Sequence, residues 1–305
     1  MQLRMLAVPA VAGLALVACG STDNSTSSSS SSGAASGAAT SSSTTAACAT
    51  GTITASGSTA LQPLVQQAAQ AYQAKCPGST ITVSGGGSST GLSNVASGAS
   101  DIGDSDVPVS NAKAVDPTTV TDHQVAIAVF AVIVNPKTGV TNLTTQQVRD
   151  IFSGKDTNWS QVGGANVPIT LVERKTGSGT RLSFDKDIMQ GTPEAANPAS
   201  TQDSTQLVLT SVAGPAGGVS YLVASSADST VTKVNLDGVA PTGDNVKNGT
   251  YKYFSHEHMY TKTSASPLAT SFIAFMLSSD FQNSTVAQAG YLPEATTTEQ
   301  SLADK

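Results

Sequence analysis

Apolar positions along the chain alternate between two periods. Positions 52–54 open a strand, after which Leu61, Leu64, Val65, Ala68, Ala69 and Tyr72 recur at helical spacing up to Lys75, where Pro77-Gly78 ends the helix. Ile81 and Val83 alternate again, Gly85-Gly86-Gly87 breaks the strand, and Leu92 with Val95 predicts a second, short helix. Strand, glycine turn and helix in repetition predict an α/β architecture. In such folds ligands bind where loops leave the carboxyl ends of the strands.

The run 125–134 is almost continuously apolar, as in a strand buried on both faces, and Asn135-Pro136 stops it. Positions 144–152 read as a helix with a capping box, Thr144 at the cap and Gln147 three residues on. A strand over 167–172 feeds the loop at Arg174, and a helix is expected over 181–189. Farther on the pattern predicts a helix over 206–212, short strands over 219–223 and 231–234, a strand over 251–260, and closing helices over 267–277 and 279–288. Gly290 stands where a helix end favours glycine.

The first 47 residues follow different rules. Arg4 precedes an apolar run over 6–18 that is too short for a membrane span and reads as a targeting segment, residues 1–18. It ends Leu16-Val17-Ala18-Cys19, which looks like the lipobox of bacterial lipoproteins, where cleavage leaves a lipid-modified cysteine; Cys19 is the expected anchor. From there to residue 47 the composition falls to Ser, Thr, Ala and Gly, a tether with little to bury, spanning on the order of 30 Å as a random coil. Cys48 and Cys76 flank one strand and one helix. In an exported protein they are expected to form a disulfide, the zinc alternative lacking paired histidines nearby. The formal charge of −6, with 12% charged residues, argues against nucleic acid as a partner.

Three runs of glycine and hydroxyl residues carry the chemistry: Gly57-Ser58-Thr59, residues 85–89, and Gly177-Ser178-Gly179-Thr180. Each falls where the pattern starts a helix, and helix starts offer unpaired N–H groups and a partial positive charge to an oxyanion. Arg174 precedes the third run and adds a full charge. Asp106, between the second and third, is a carboxylate near an anion cradle.

In these features the chain over about 53–293 resembles the phosphate-binding proteins of bacterial ABC importers. The likeness rests on the three runs in order, on Asp101-Ile102-Gly103-Asp104-Ser105-Asp106, and on Arg174; Leu143-Thr144, Ile151-Phe152-Ser153-Gly154 and Asn158-Trp159 add to it. It implies a type II periplasmic binding protein fold, two α/β lobes joined by two crossover strands around a central ligand cleft. The expected division is lobe I over 48–130 and 254–305, and lobe II over 131–253, with crossovers near 129–134 and 251–255. The implied phosphate contacts are Thr59, Ser88 and Asp106 from the first lobe and Arg174, Ser178, Gly179 and Thr180 from the second. The implied partner is an ABC permease in the cytoplasmic membrane, with the receptor a monomer outside the cytoplasm and without a cofactor. Family members often carry an acid shortly after the arginine; Thr176 stands there in this chain.

Asp106 is the expected discriminator. An ionised carboxylate only accepts hydrogen bonds, so it rewards phosphate, which still carries a proton near neutral pH, and repels sulfate, which has none. Other readings stand beside this one: a receptor for another tetrahedral oxyanion, a phosphate sensor or an adhesin. A phosphatase or esterase would rest on Ser178, but the G-x-S-x-G elbow is absent, and only folding could bring His123 or His258 to it. Asp104 is expected to be solvated or to cap a loop, and Lys175 and Arg181 either to face the cleft or to lie in solvent. His256 and His258 share one strand face and are expected to pack or hydrogen-bond rather than to hold a metal. Trp159, Tyr251, Tyr253 and Phe254 are expected in the core.

Overall fold

The computed structural model describes residues 47–111, 115–301 and 303–305. Residues 1–46, which hold the expected leader, Cys19 and all but the last residue of the expected tether, lie outside it. The described chain opens with strand β1 (Gly51–Gly57), helix α1 (Gln62–Lys75), β2 (Ser79–Ser84), α2 (Ser88–Ser97) and β3 (Ile102–Ser105). The two helices return the chain so that β2, β1 and β3 lie parallel, Ile53 beside Ile81 and Ala55 beside Ile102. Helix α1 buries the stripe Leu64, Val65, Ala68, Ala69 and Tyr72 against this sheet. Cys48 and Cys76 form a disulfide that joins the start of the described chain to the end of α1.

Strand β4 (Val120–Val134) is fifteen residues long and begins five residues before its apolar run, because Thr121, Asp122, His123 and Gln124 pair in the sheet while remaining partly exposed. After it come β5 (Asn142–Leu143), α3 (Thr145–Phe152), β6 (Thr170–Arg174), α4 (Gly179–Phe184), β7 (Ser200–Gln202), α5 (Thr205–Ala213) and β8 (Gly218–Val223). The chain closes with β9 (Thr232–Lys233), β10 (Asn235–Leu236), α6 (Gly243–Lys247), β11 (Phe254–Lys262) and α7 (Pro267–Met276). Helix α3 carries its capping box, with Thr144 Oγ1 accepting from Gln147 N and Gln147 Oε1 accepting from Thr144 N.

Several expected boundaries shift for local reasons. Strand β6 starts at Thr170 rather than 167, since 167–169 are tied to the loop before them through Trp159 N to Val167 O and Ile169 N to Thr157 O. The helix expected over 181–189 becomes α4 followed by a π-helical turn over Asp185–Met189, closed by Gln190 N donating to Asp185 O. The last expected helix, 279–288, likewise contains a π turn over Gln282–Val286 and resumes at 287–288. Strand β11 begins at Phe254 because Tyr251 N is already committed to Asn245 O.

Among the described residues, one nine-stranded sheet runs β2-β1-β3-β11-β4-β8-β6-β7, with β9 also on β4. Strand β4 is its spine. It pairs antiparallel with β11 from Val120 to Val129 and with β8 from Phe130 to Val134, so its partner changes between Val129 and Phe130. At that point Phe130 N donates to Tyr253 O and Tyr251 Oη to Phe130 O, which brings the two long connections of the chain side by side. Val125 to Val134 are buried throughout, as expected of a strand covered on both faces. No helix among the described residues is long and apolar enough to cross a membrane.

Candidate anion-binding site

The three glycine and hydroxyl runs leave the carboxyl ends of β1, β2 and β6 and converge. The first departs from expectation in one respect: α1 starts only at Gln62, and residues 58–61 form a tight loop in which Ser58 Oγ accepts from Ala60 N at 3.1 Å and Leu61 N at 3.0 Å. Gly87 caps α2 at φ +88°, a left-handed conformation open to glycine, and Ser88 opens the helix. Ser178 caps α4, its Oγ accepting from Arg181 N at 3.4 Å. All seven residues expected at the site are buried, and hydrogen bonds join Thr59, Ser88, Asp106, Arg174 and Thr180 in pairs.

From the second half of the chain, Arg174 Nη2 donates to Thr59 Oγ1 at 3.0 Å and Thr180 Oγ1 to Asp106 Oδ2 at 2.7 Å. Ser89 N donates to Gly177 O at 3.0 Å, which locks the second run to the third. Asp106 N donates to Ser88 Oγ at 3.0 Å, and Ser58 Oγ donates to Asp106 Oδ1. The backbone of Gly179 lies hard against this group: a Cβ there would strike the Ser88 hydroxyl and stand 2.8 Å from Asp106 Cβ. Glycine at 179 is therefore required for the two runs to meet.

Arg174 is the electrostatic centre. Its side chain is 1% exposed, and Nε and Nη1 have no hydrogen-bond partner among the described residues. Burial lowers its pKa, with the Asp106 carboxylate opposing that shift, followed by Tyr221, Tyr253 and Asp203. The arginine is held at its head by the bond from Nη2 to Thr59 Oγ1 and at its backbone by its carbonyl, which accepts from Arg181 Nη1 at 2.5 Å. A buried cation with unused donors beside hydroxyls and helix N–H groups can desolvate and hold a compact oxyanion.

Sequence reasoning missed one contributor and misread another. Thr205, buried at the start of α5, donates its N–H to Thr59 Oγ1 at 3.2 Å and lies 3.2 Å from it through its hydroxyl as well. Asp203-Ser204-Thr205 before an apolar helical stretch, with Ser204 Oγ accepting from Leu207 N, is the same kind of helix start without a glycine to advertise it. Asp104 is not solvated: it is fully buried, and neither carboxyl oxygen has a hydrogen-bond partner among the described residues. Burial, then the charge of Asp106, pushes its carboxyl well above the usual range.

The remaining singled-out groups lie elsewhere. Arg181 ion-pairs with Glu194, with Glu173 at 3.6 Å and with Asp185 at 4.0 Å, and Lys175 is exposed. His256 Nδ1 lies 2.6 Å from Glu294 Oε1, and His258 Nδ1 lies 2.9 Å from Asp122 Oδ1. His123 Nε2 meets Thr261 Oγ1 at 3.3 Å, so none of the three histidines is hydrogen-bonded to Ser178. Trp159 is buried with Nε1 donating to Gly217 O at 2.9 Å, and Tyr251, Tyr253 and Phe254 lie in the core.

A two-crossover α/β body whose strand-end loops enclose a buried arginine is a type II periplasmic binding protein. Residues 42–280 match the model of the PBP superfamily domain. The chain is 41% identical over 248 residues to the phosphate-binding protein PstS of Bacillus subtilis, covering 80% of this chain and 81% of that one. In structure it is similar to a phosphate ABC transporter substrate-binding protein of Clostridium perfringens with bound phosphate, at TM-score 0.74 and 30% identity over 80% of this chain and 99% of that one. An ABC-type phosphate transport receptor from Vibrio cholerae aligns at TM-score 0.64 and 28% identity over 79% and 99%. The chain belongs to the PBP superfamily and, within it, to the phosphate-binding proteins.

Proposed function

We propose that this chain captures inorganic phosphate outside the cytoplasm and delivers it to an ABC permease. The observation that carries the reading is Arg174: a buried guanidinium with two unused donor nitrogens, beside Thr59, Ser88, Asp106, Ser178, Gly179 and Thr180. Ligand oxygens would replace lost water with the arginine fork, the hydroxyls and the N–H groups at the starts of α2 and α4. Asp106 would accept the proton that phosphate carries and sulfate lacks. The relatives support this choice of ligand, since the solved Clostridium perfringens protein holds phosphate.

The two lobes of this reading are residues 48–130 with 254–305, and residues 131–253, a division supported by the change of partner along β4 between Val129 and Phe130. Bonds such as Thr180 to Asp106 and Arg174 to Thr59 run between them, so separating the lobes breaks them and forming them encloses the ligand. Cys19 would anchor a monomer to the membrane by lipid. The protein would do no chemistry of its own, a reading supported by relatives that are substrate-binding transport proteins. Calorimetric competition among phosphate, arsenate, sulfate and molybdate tests the ligand. Phosphate is expected to bind most tightly, arsenate to compete and sulfate to fail, while equal binding of sulfate defeats the reading.

A further inference from the structure

Buried groups that phosphate capture leaves unused converge behind Asp106. Strand β11 runs antiparallel to β3 and pairs His258 with Ser105 and Met259 with Asp104, so one further step of the register sets Glu257 across from Asp106. Residues 255, 257 and 259 share a face of β11, and Ser255 on that face donates its hydroxyl to the Asp106 carbonyl. Glu257 sits at an irregularity in the pairing of β11 with β4. It is fully buried, and neither of its carboxyl oxygens meets a conventional donor among the described residues.

The groups facing Glu257 are Asp106 and Asp104 from β3 and the loop after it, Asp304 from the C-terminal segment, and Tyr291 from the segment after α7. Its strand neighbours His256 and His258 point to the opposite face, toward Glu294 and Asp122. The cation acting on the group is Arg174, which faces Asp106.

The four acids divide into two kinds. Asp106 accepts hydroxyl donors on both oxygens, and Asp304 accepts from His256 N at 3.3 Å and Ser301 N at 3.0 Å. Asp104 and Glu257 have no donor among the described residues. A second charge without donors in so enclosed a place is strongly disfavoured, whereas a carboxyl group that keeps its proton is itself a donor, and the acceptor opposite Glu257 is Asp106.

We propose that Glu257 is a proton-carrying positioning residue of the binding site, whose neutral carboxyl group donates to Asp106 and so fixes Asp106 as the one anion of the pair. The proposal rests on the reading of the site as a phosphate receptor with Asp106 as the proton check. Burial, then Asp106, raises the Glu257 carboxyl well above the usual carboxylate range, in the same direction as the geometry. Asp104, equally without donors, adds a second neutral acid on the same side. In alkaline solution Glu257 gives up its proton, two like charges then face each other and the bound oxyanion, and affinity falls.

The test is phosphate calorimetry from mildly acidic to alkaline pH on the wild type, Glu257→Gln and Glu257→Ala. At neutral pH Glu257→Ala is expected to weaken phosphate binding about tenfold, and Glu257→Gln, whose amide also donates, to restore most of that. On the alkaline side the wild type is expected to lose a further tenfold or so that Glu257→Gln keeps; comparison within one titration series removes the titration of phosphate itself. Infrared spectra of protein carrying 13C-labelled glutamate give a readout independent of any variant at Glu257. A glutamic-acid carbonyl band at neutral pH that persists in Glu194→Gln and shifts on adding phosphate supports the proposal, and its absence overturns it. Parallel pH profiles for wild type and Glu257→Gln, or much tighter neutral-pH binding by Glu257→Gln, as expected if it relieved an ionised neighbour, also overturn it. A wild type that binds no phosphate at any pH defeats the phosphate reading instead.

Discussion

Two acidic clusters, one around Arg181 and one near Arg174, differ in what their cation touches. In one, Arg181 reaches Glu173, Glu194 and Asp185 directly, and Tyr221 Oη donates to Glu194 Oε1 at 3.2 Å. In the other, Asp106, Asp104 and Glu257 are buried together while the nearest guanidinium, that of Arg174, bonds to Thr59 and leaves Nε and Nη1 without partners. In the first cluster Arg181 meets its acids directly and braces β6 and α4 through its bond to the Arg174 carbonyl. The second holds positive and negative groups apart, so an anion bearing a proton can complete both sides. The same residue types make a structural brace when in contact and a receptor when separated.

The sharpest way to break this comparison is to remove each arginine in turn. Arg174→Met is expected to weaken phosphate binding by a hundredfold or more, about 3 kcal/mol, with the folded body retained. Arg181→Met is expected to act the other way round. It strands Glu173 and Glu194 and lowers stability by about 2–4 kcal/mol, while phosphate affinity falls by less than about tenfold. Calorimetry and denaturant unfolding on both variants check the pair, and equal effects on binding would erase the distinction.

A smaller effect sharpens the structural cluster. Burial, then Asp185, raises Glu194 from its ordinary 4.5 to about 7 despite Arg181. Because the folded state holds this proton more tightly than the unfolded state, the resulting stabilisation is complete below about pH 4.5 and lost as pH rises through about 7. Glu194→Gln is expected to flatten that part of the stability curve, as seen in unfolding midpoints across the range. An unchanged slope would show that Arg181 keeps Glu194 charged.

The elements that carry local signals were legible in the sequence: the capping box at Thr144, the buried run in β4, the helical stripe of α1 and the three glycine-hydroxyl loops. Arg174 could be singled out because it precedes the third loop, and Asp106 because the stretch 101–106 resembles the family's. What escaped depends on pairing between distant segments. The burial of Asp104 follows from β3 lying between β1 and β11, whose residues are remote in the chain, and no local pattern marks it. Glu257 lies in a strand of alternating character, and only the register against β3 turns it toward Asp106. Thr205 was hidden for a simpler reason: its helix start lacks the glycines that drew attention to the others.

The central claim, that a carboxylate inspects its ligand for a proton, is tested most directly by the ratio of phosphate to sulfate affinity in the wild type and in Asp106→Asn, measured by calorimetry at neutral pH. The amide can donate where the carboxylate could only accept. The account predicts that the ratio collapses, with sulfate gaining far more than phosphate loses. A ratio unchanged by the substitution would contradict it.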